Sequence, residues 1–270
     1  MSAPRPSAAL TPSSHWTVAR IVALAGIAAV ALLAWGFLWR AAVAMSSTGG
    51  DGAAAVLMDA LMRPGQPARY LPAAVSMWIV MAIAMMAPAV LPVVTAFWRL
   101  ERGATRLATW HGLVFAAAYL VVWCGTGLVF GVLQFGLHRA ALLQHHLFAL
   151  APQFGAALLV AAGVYQLTPF KHTCLVHCRE PLTFMRRHAR GGAAGAFAMG
   201  LGHGAFCVGC CWAMMLLMFV GGVMSLGGMA LIAMLLLIER LLPLRPWATT
   251  VPGIVLIAAG LWTLLTAPAA

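Results

Sequence analysis

Carboxylates are scarce in this chain. It has five in 270 residues against sixteen lysines and arginines, and charged residues of both signs make up only 8%. A soluble domain carries about 25%. So small a charge supply cannot wet a folded surface, which excludes an ordinary soluble protein and leaves a single polytopic membrane domain. The same scarcity excludes whole classes of chemistry. No carboxylate pair is available for general acid–base hydrolysis, and no Ser/His/Asp arrangement for nucleophilic attack. Transporters driven by ion gradients bury several ionisable groups, whereas the apolar runs here offer only Glu239. Six cysteines in a chain of this length are too few for a disulfide scaffold. Internal repeats are lacking as well.

What is abundant is apolar. Hydrophobic residues make up 63% of the chain, and seven runs are long enough to span a bilayer: 18–39, 71–98, 108–137, 147–170, 195–220, 223–241 and 249–267. The expected fold is all-α, a polytopic transmembrane helix bundle of about seven spans. Residues 1–17, rich in Ser, Pro and Ala, read as a disordered tail. Residues 18–70 read as a first span with an outer loop, 71–241 as a metal-binding membrane domain, and 242–270 as a last span. The first run exceeds a signal-peptide core and reads as a retained anchor, although Ala42-Val43-Ala44 resembles a cleavage site. Pro88 and Pro92 in the second run free backbone carbonyls. Gly221-Gly222 marks a tight turn between runs five and six, or a bend in one long helix.

The net charge of +11 lies mostly in short loops, which fits anionic headgroups and membrane orientation better than nucleic acid. With seven spans, one side holds Arg5, Arg20, Arg99, Arg102, Arg106, Lys171, Arg179, Arg186, Arg187, Arg190, Arg240 and Arg245. The other holds Arg40, Arg63, Arg69 and Arg139. This asymmetry predicts a bilayer protein of the bacterial inner-membrane type, with a cytoplasmic N-terminus.

Five of the six cysteines fall between Lys171 and Trp212. In run five, His203, Cys207, Cys210 and Met214 recur at spacings of four, three and four, which puts them on one helical face; Cys211 widens the stripe. Nitrogen, thiolate and thioether donors on one face suit Cu(I), with zinc as a second candidate. Cys207 lies about 18 Å along a helix starting near Gly195, close to the bilayer midplane. The competing reading is packing, since Gly200, Gly202, Gly204 and Gly209 let helices approach closely. The second knot, Cys174, His177 and Cys178, follows Thr168-Pro169 and reads as a ligand set at the cytoplasmic mouth, or as an interfacial loop whose Lys171 and Arg179 meet headgroups. The two knots form either one site or two stations about half a bilayer apart.

Met77, Met81 and Met85 repeat every four residues, so Met85 is a candidate thioether ligand or a packing residue. Glu239 joins the candidate metal set, as a ligand or proton acceptor, or else pairs with Arg240. His145-His146 is a weak candidate for metal capture, and the isolated Cys124 reads as a small buried hydrophobe.

At four segments the chain resembles the domain of unknown function 2182 family of metal-binding integral membrane proteins. They are Met81-Ala-Ile-Ala-Met85-Met86-Ala-Pro88, Tyr165 to Arg179, Gly200 to Trp212, and Gly222-Val-Met224 with Glu239 after it. The resemblance covers roughly 71–241 and implies a metal-binding membrane protein; copper comes from the ligand chemistry alone. Three functions remain open. The chain transports copper or delivers it to a metalloenzyme or other metal-handling partner; or it is a membrane thiol–disulfide oxidoreductase using Cys207-Val-Gly-Cys210; or it is a structural subunit.

Overall fold

The computed structural model describes residues 18–46, 52–63, 65–100, 106–144, 148–188, 191–241 and 247–266. The tail 1–17, His145-His146, and Arg5, Arg102, Arg190 and Arg245 lie outside the described residues. The fold is an all-α bundle. Its helices are α1 (Val18–Ser46), α2 (Ala53–Leu61), α3 (Pro67–Leu100), α4 (Arg106–Arg139), α5 (Pro152–Gln166), α6 (Pro169–Arg179), α7 (Pro181–Arg187), α8 (Gly192–Leu216), α9 (Met218–Gly221), α10 (Leu226–Leu241) and α11 (Trp247–Thr266). Between α4 and α5, the two-residue strands β1 (Leu143–Gln144) and β2 (Ala149–Leu150) pair antiparallel.

Five of these segments are long and apolar enough to cross a membrane: α1, α3, α4, α8 with α9, and α11. Not all seven expected spans are found among the described residues. Runs four and six do fold as helices, but α5 has 15 residues and α10 has 16. At 1.5 Å per residue these reach only about 23 Å, short of a hydrocarbon core of about 30 Å.

The break after α5 has a local cause. Thr168 sits in extended backbone, its hydroxyl accepts from the Lys171 backbone N–H, and Pro169 takes the first helical position. A capping threonine followed by proline starts a new helix. The chain therefore turns into α6, which runs beside α8. At the other end of α8, Gly222 adopts φ 91° and ends α9. That left-handed geometry favours glycine and makes Gly221-Gly222 a turn.

Proline also shapes α3, which continues through Pro72, Pro88 and Pro92. Pro88 has no N–H for the carbonyl four residues earlier, that of Ala84. The Trp35 indole of α1 supplies the missing donor, at 3.0 Å from Ala84 O. The cost of the proline is thus offset by docking α1 against α3. Close helix contact elsewhere depends on missing side chains. A Cβ on Gly200 of α8 would stand 2.4 Å from the Phe115 carbonyl of α4. The core of α3, α4 and α8 carries large buried rings, Trp78, Trp123, Tyr119 and Phe115 among them.

Candidate metal centre

The one-faced stripe of α8 is buried throughout: His203, Cys207, Cys210, Cys211 and Met214 all lie in the core. Across from it, α6 turns Cys174 and Cys178 toward the same level. Cys178 Sγ lies 3.3 Å from Cys207 Sγ and 3.7 Å from Cys210 Sγ. His203 Nε2 is 3.9 Å from Cys207 Sγ. The donor atoms of Cys178, His203 and Cys207 all fall within 4.8 Å of one another. The two knots are therefore one cluster. Of the two arrangements left open, one site or two stations half a bilayer apart, the course of α6 favours the first, because it carries Cys178 alongside α8.

The spacing fits metal chemistry. Two thiolates on one tetrahedral ion with bonds of about 2.3 Å stand about 3.8 Å apart, close to the separations around Cys178. His203 Nδ1 is buried with no hydrogen-bond partner among the described residues. Such a group is costly to leave unpaired, and an ion or its ligand sphere would satisfy the ring. Cys210 and Cys211 are held differently: both thiols donate to the Cys207 carbonyl, at 3.1 and 3.0 Å. The Tyr119 hydroxyl of α4 donates to Cys207 Sγ at 3.6 Å. All six cysteines are free thiols, with Cys124 only half-buried.

Hydrogen bonds with Cys207 and Cys210 hold the Cys178 thiol well above its ordinary range, and burial adds to this. Burial also raises the Cys174 thiol, with Cys210 contributing. Cys174 packs on Gly209, where a Cβ would stand 2.8 Å from its sulfur. The small residues of α8 and its cysteines therefore serve one arrangement: the glycine admits α6, and α6 brings the thiols.

Other candidates are placed elsewhere. His177 is stacked on Phe206 with ring centroids 4.4 Å apart, and its Nδ1 engages the Thr173 carbonyl at 2.8 Å. Met214 is buried one turn beyond Cys210. Met85 lines a cavity of about 180 Å³ shared by Trp35, Met86 and Arg240. Glu239 does not pair with Arg240. Its carboxylate accepts from Lys171 Nζ at 2.7 and 2.9 Å and from Gln166 Nε2 at 2.7 Å, and Lys171 also donates to Gln166 Oε1. Lys171 is fully buried, not an interfacial lysine. Arg179 Nε donates to the Glu239 carbonyl at 2.6 Å. This polar knot ties α5, α6 and α10 together and fixes α6 over the thiols. Sequence reasoning missed Tyr119 and Gln166, whose signal was a polar side chain inside an apolar run. It also missed the partner of Lys171.

The PpoB2 copper chaperone family model matches residues 75–263. No curated protein matches the chain, and no solved structure does. The resemblance to the domain of unknown function 2182 family is corrected by this match: the metal-related character expected from the motifs stands, and the family is a different one. Because the match spans well over half of the sequence, the chain belongs to the PpoB2 copper chaperone family.

Proposed function

We propose that this chain is a membrane-embedded copper chaperone that holds Cu(I) between Cys178 and Cys207, with His203 as the third donor, and passes it to a copper-requiring partner. The observation that carries this reading is the convergence of those three donor groups within 4.8 Å in the buried core. Two sulfurs and an imidazole form a soft, low-coordinate set, which suits Cu(I) better than hard cations. Family membership supports copper as the cargo. Five apolar helices support placement in a bilayer. Cys210 and Cys174 flank the pair and offer successive sulfurs for handing the ion on. Lys171 and Glu239 hold the scaffold and do not bind the ion themselves.

The test is metal content. Protein purified in detergent under reducing, anaerobic conditions is expected to take up one Cu(I) per chain, and Cys178→Ser and Cys207→Ser are each expected to abolish it. Absence of stoichiometric copper in the wild-type chain, or uptake unchanged in both variants, would sink the reading.

A further inference from the structure

Three imidazoles gather on one phenyl ring. Phe184 of α7 is buried, and its ring meets that of His203 edge-on, with centroids 5.5 Å apart. The His188 ring stacks on it at 4.6 Å, and the His177 ring of α6 meets it edge-on at 6.3 Å. Gly202 leaves room for the phenyl, since a Cβ there would stand 3.4 Å from Phe184 Cζ. His203 is sealed in the core, whereas His177 is half-buried and His188 exposed. Phe184 therefore stands between a buried donor of the candidate centre and two imidazoles nearer the surface.

The two outer rings are held in the same way. His177 Nδ1 engages the Thr173 carbonyl at 2.8 Å, and His188 Nδ1 the Phe184 carbonyl at 2.9 Å. A carbonyl only accepts, so each Nδ1 carries the proton, and in the neutral ring each Nε2 keeps its lone pair. Metal-ligating histidines are oriented by such a bond from the nitrogen that does not bind the ion. Ring stacking adds to the hold, on Phe206 for His177 and on Phe184 for His188. A role at helix ends accounts for the two carbonyl bonds. It does not account for both rings meeting the phenyl that touches His203.

We propose that His177 and His188 form a capture station for Cu(I), taking the ion on their Nε2 atoms and passing it around Phe184 to His203. This rests on the copper reading above. The ion stays Cu(I) throughout. A bond from copper to an outer imidazole breaks as one to His203 forms, and no electron or proton moves in that exchange. Direction comes from donor softness. Imidazole binds copper, but thiolates are the softer ligands and select Cu(I). The ion therefore passes from nitrogens near the surface to the sulfurs of the core.

The full chain in detergent, reduced and anaerobic, is mixed with Cu(I) on a weak chromophoric chelator, and the loading rate is followed as the donor complex is raised. Wild type is compared with His177→Phe/His188→Phe, which keeps the rings and removes the nitrogens, and with His172→Phe, an exposed imidazole of α6 outside the Phe184 group. Capture raises the effective concentration of copper beside His203, so the double variant is expected to load about tenfold or more slowly. Its final Cu(I) affinity is expected to match wild type. The wild-type rate is expected to saturate as the station fills, and the double variant to lose that saturation. His172→Phe is expected to load like wild type. A double variant that loads at the wild-type rate, one that folds but loses final affinity, or equal slowing by His172→Phe overturns the proposal. Should the double variant fail to fold, His188→Phe decides alone, because slower loading supports capture and an unchanged rate refutes it. A wild-type chain that binds no Cu(I) removes the copper reading and this proposal together. A wild type that binds Cu(I) beside indifferent histidine variants removes only the capture station.

Discussion

Cys178 of α6 and Cys207 of α8 meet at 3.3 Å between sulfurs, although they lie 29 positions apart in sequence. A disulfide needs sulfurs at about 2.05 Å, so a small rotation of either side chain would join them. Mild oxidation of metal-free protein is therefore expected to cross-link Cys178 to Cys207, and Cu(I) loading to protect both. Proteolysis and mass spectrometry of the non-reduced chain would identify the linked peptides. A Cys207–Cys210 link instead, or equal oxidation with and without copper, would contradict the pairing.

Metal uptake should depend on pH in one direction. The Cys178 thiol is held protonated by its hydrogen bonds with Cys207 and Cys210 and by burial, which raise it well above its ordinary range. A metal must displace that proton. Protonation competes more strongly as pH falls, so apparent Cu(I) affinity rises with pH by up to about tenfold per unit for each thiol proton displaced. Competition titrations from roughly pH 6 to 8 would measure the slope. A flat profile would mean that the ion does not bind through Cys178.

What the sequence made legible were properties of single helices. The His203–Cys207–Cys210 stripe is one buried face, as its spacing requires. Pro88 does free a carbonyl, which Trp35 fills. Gly222 does make a turn. Periodicity says which residues share a face but not which helix that face meets. The meeting of Cys178 with Cys207 depends on the break at Thr168-Pro169, which shortens α5 and sends α6 along α8. The headgroup alternative for Lys171 stayed open because its partner Glu239 lies 68 positions away. Five of the seven expected runs reach membrane-crossing length among the described residues; hydropathy measures how long an apolar run is, whereas a capping break such as Thr168-Pro169 decides where its helix stops.

Gly209 should be less replaceable than Gly202, although both are α8 glycines. A Cβ at Gly209 would stand 2.8 Å from Cys174 Sγ, whereas one at Gly202 would meet Phe184 Cζ at an ordinary 3.4 Å. Gly209→Ala must displace Cys174 or push α6 outward. Overpacking of this kind costs about 1–3 kcal/mol, so a lowered thermal midpoint in detergent and weaker Cu(I) binding are expected. Gly202→Ala is expected to leave both near wild type. Similar behaviour of the two variants would remove Gly209 as the element that admits α6.

The Lys171–Glu239 pair should show the asymmetry of buried charge. Both side chains are sealed, at 0% and 2% exposure, and their nitrogen and oxygen lie 2.7 Å apart. Removing one partner strands the other ion, which costs about 3–5 kcal/mol, whereas replacing both with apolar groups of similar volume is close to neutral. Lys171→Met and Glu239→Leu are each expected to lower the unfolding midpoint sharply, and the double variant to recover most of the loss. Gln166 tempers the recovery, because its amide also bonds Glu239 and would lose that partner. Because the pair fixes α6 in place and does not bind the ion, a double variant that folds should still take up Cu(I), with lower affinity as α6 loosens. Additive losses in the double variant would mean that the pair does not act as a unit. Complete loss of copper in a folded double variant would place Glu239 or Lys171 in the metal centre itself.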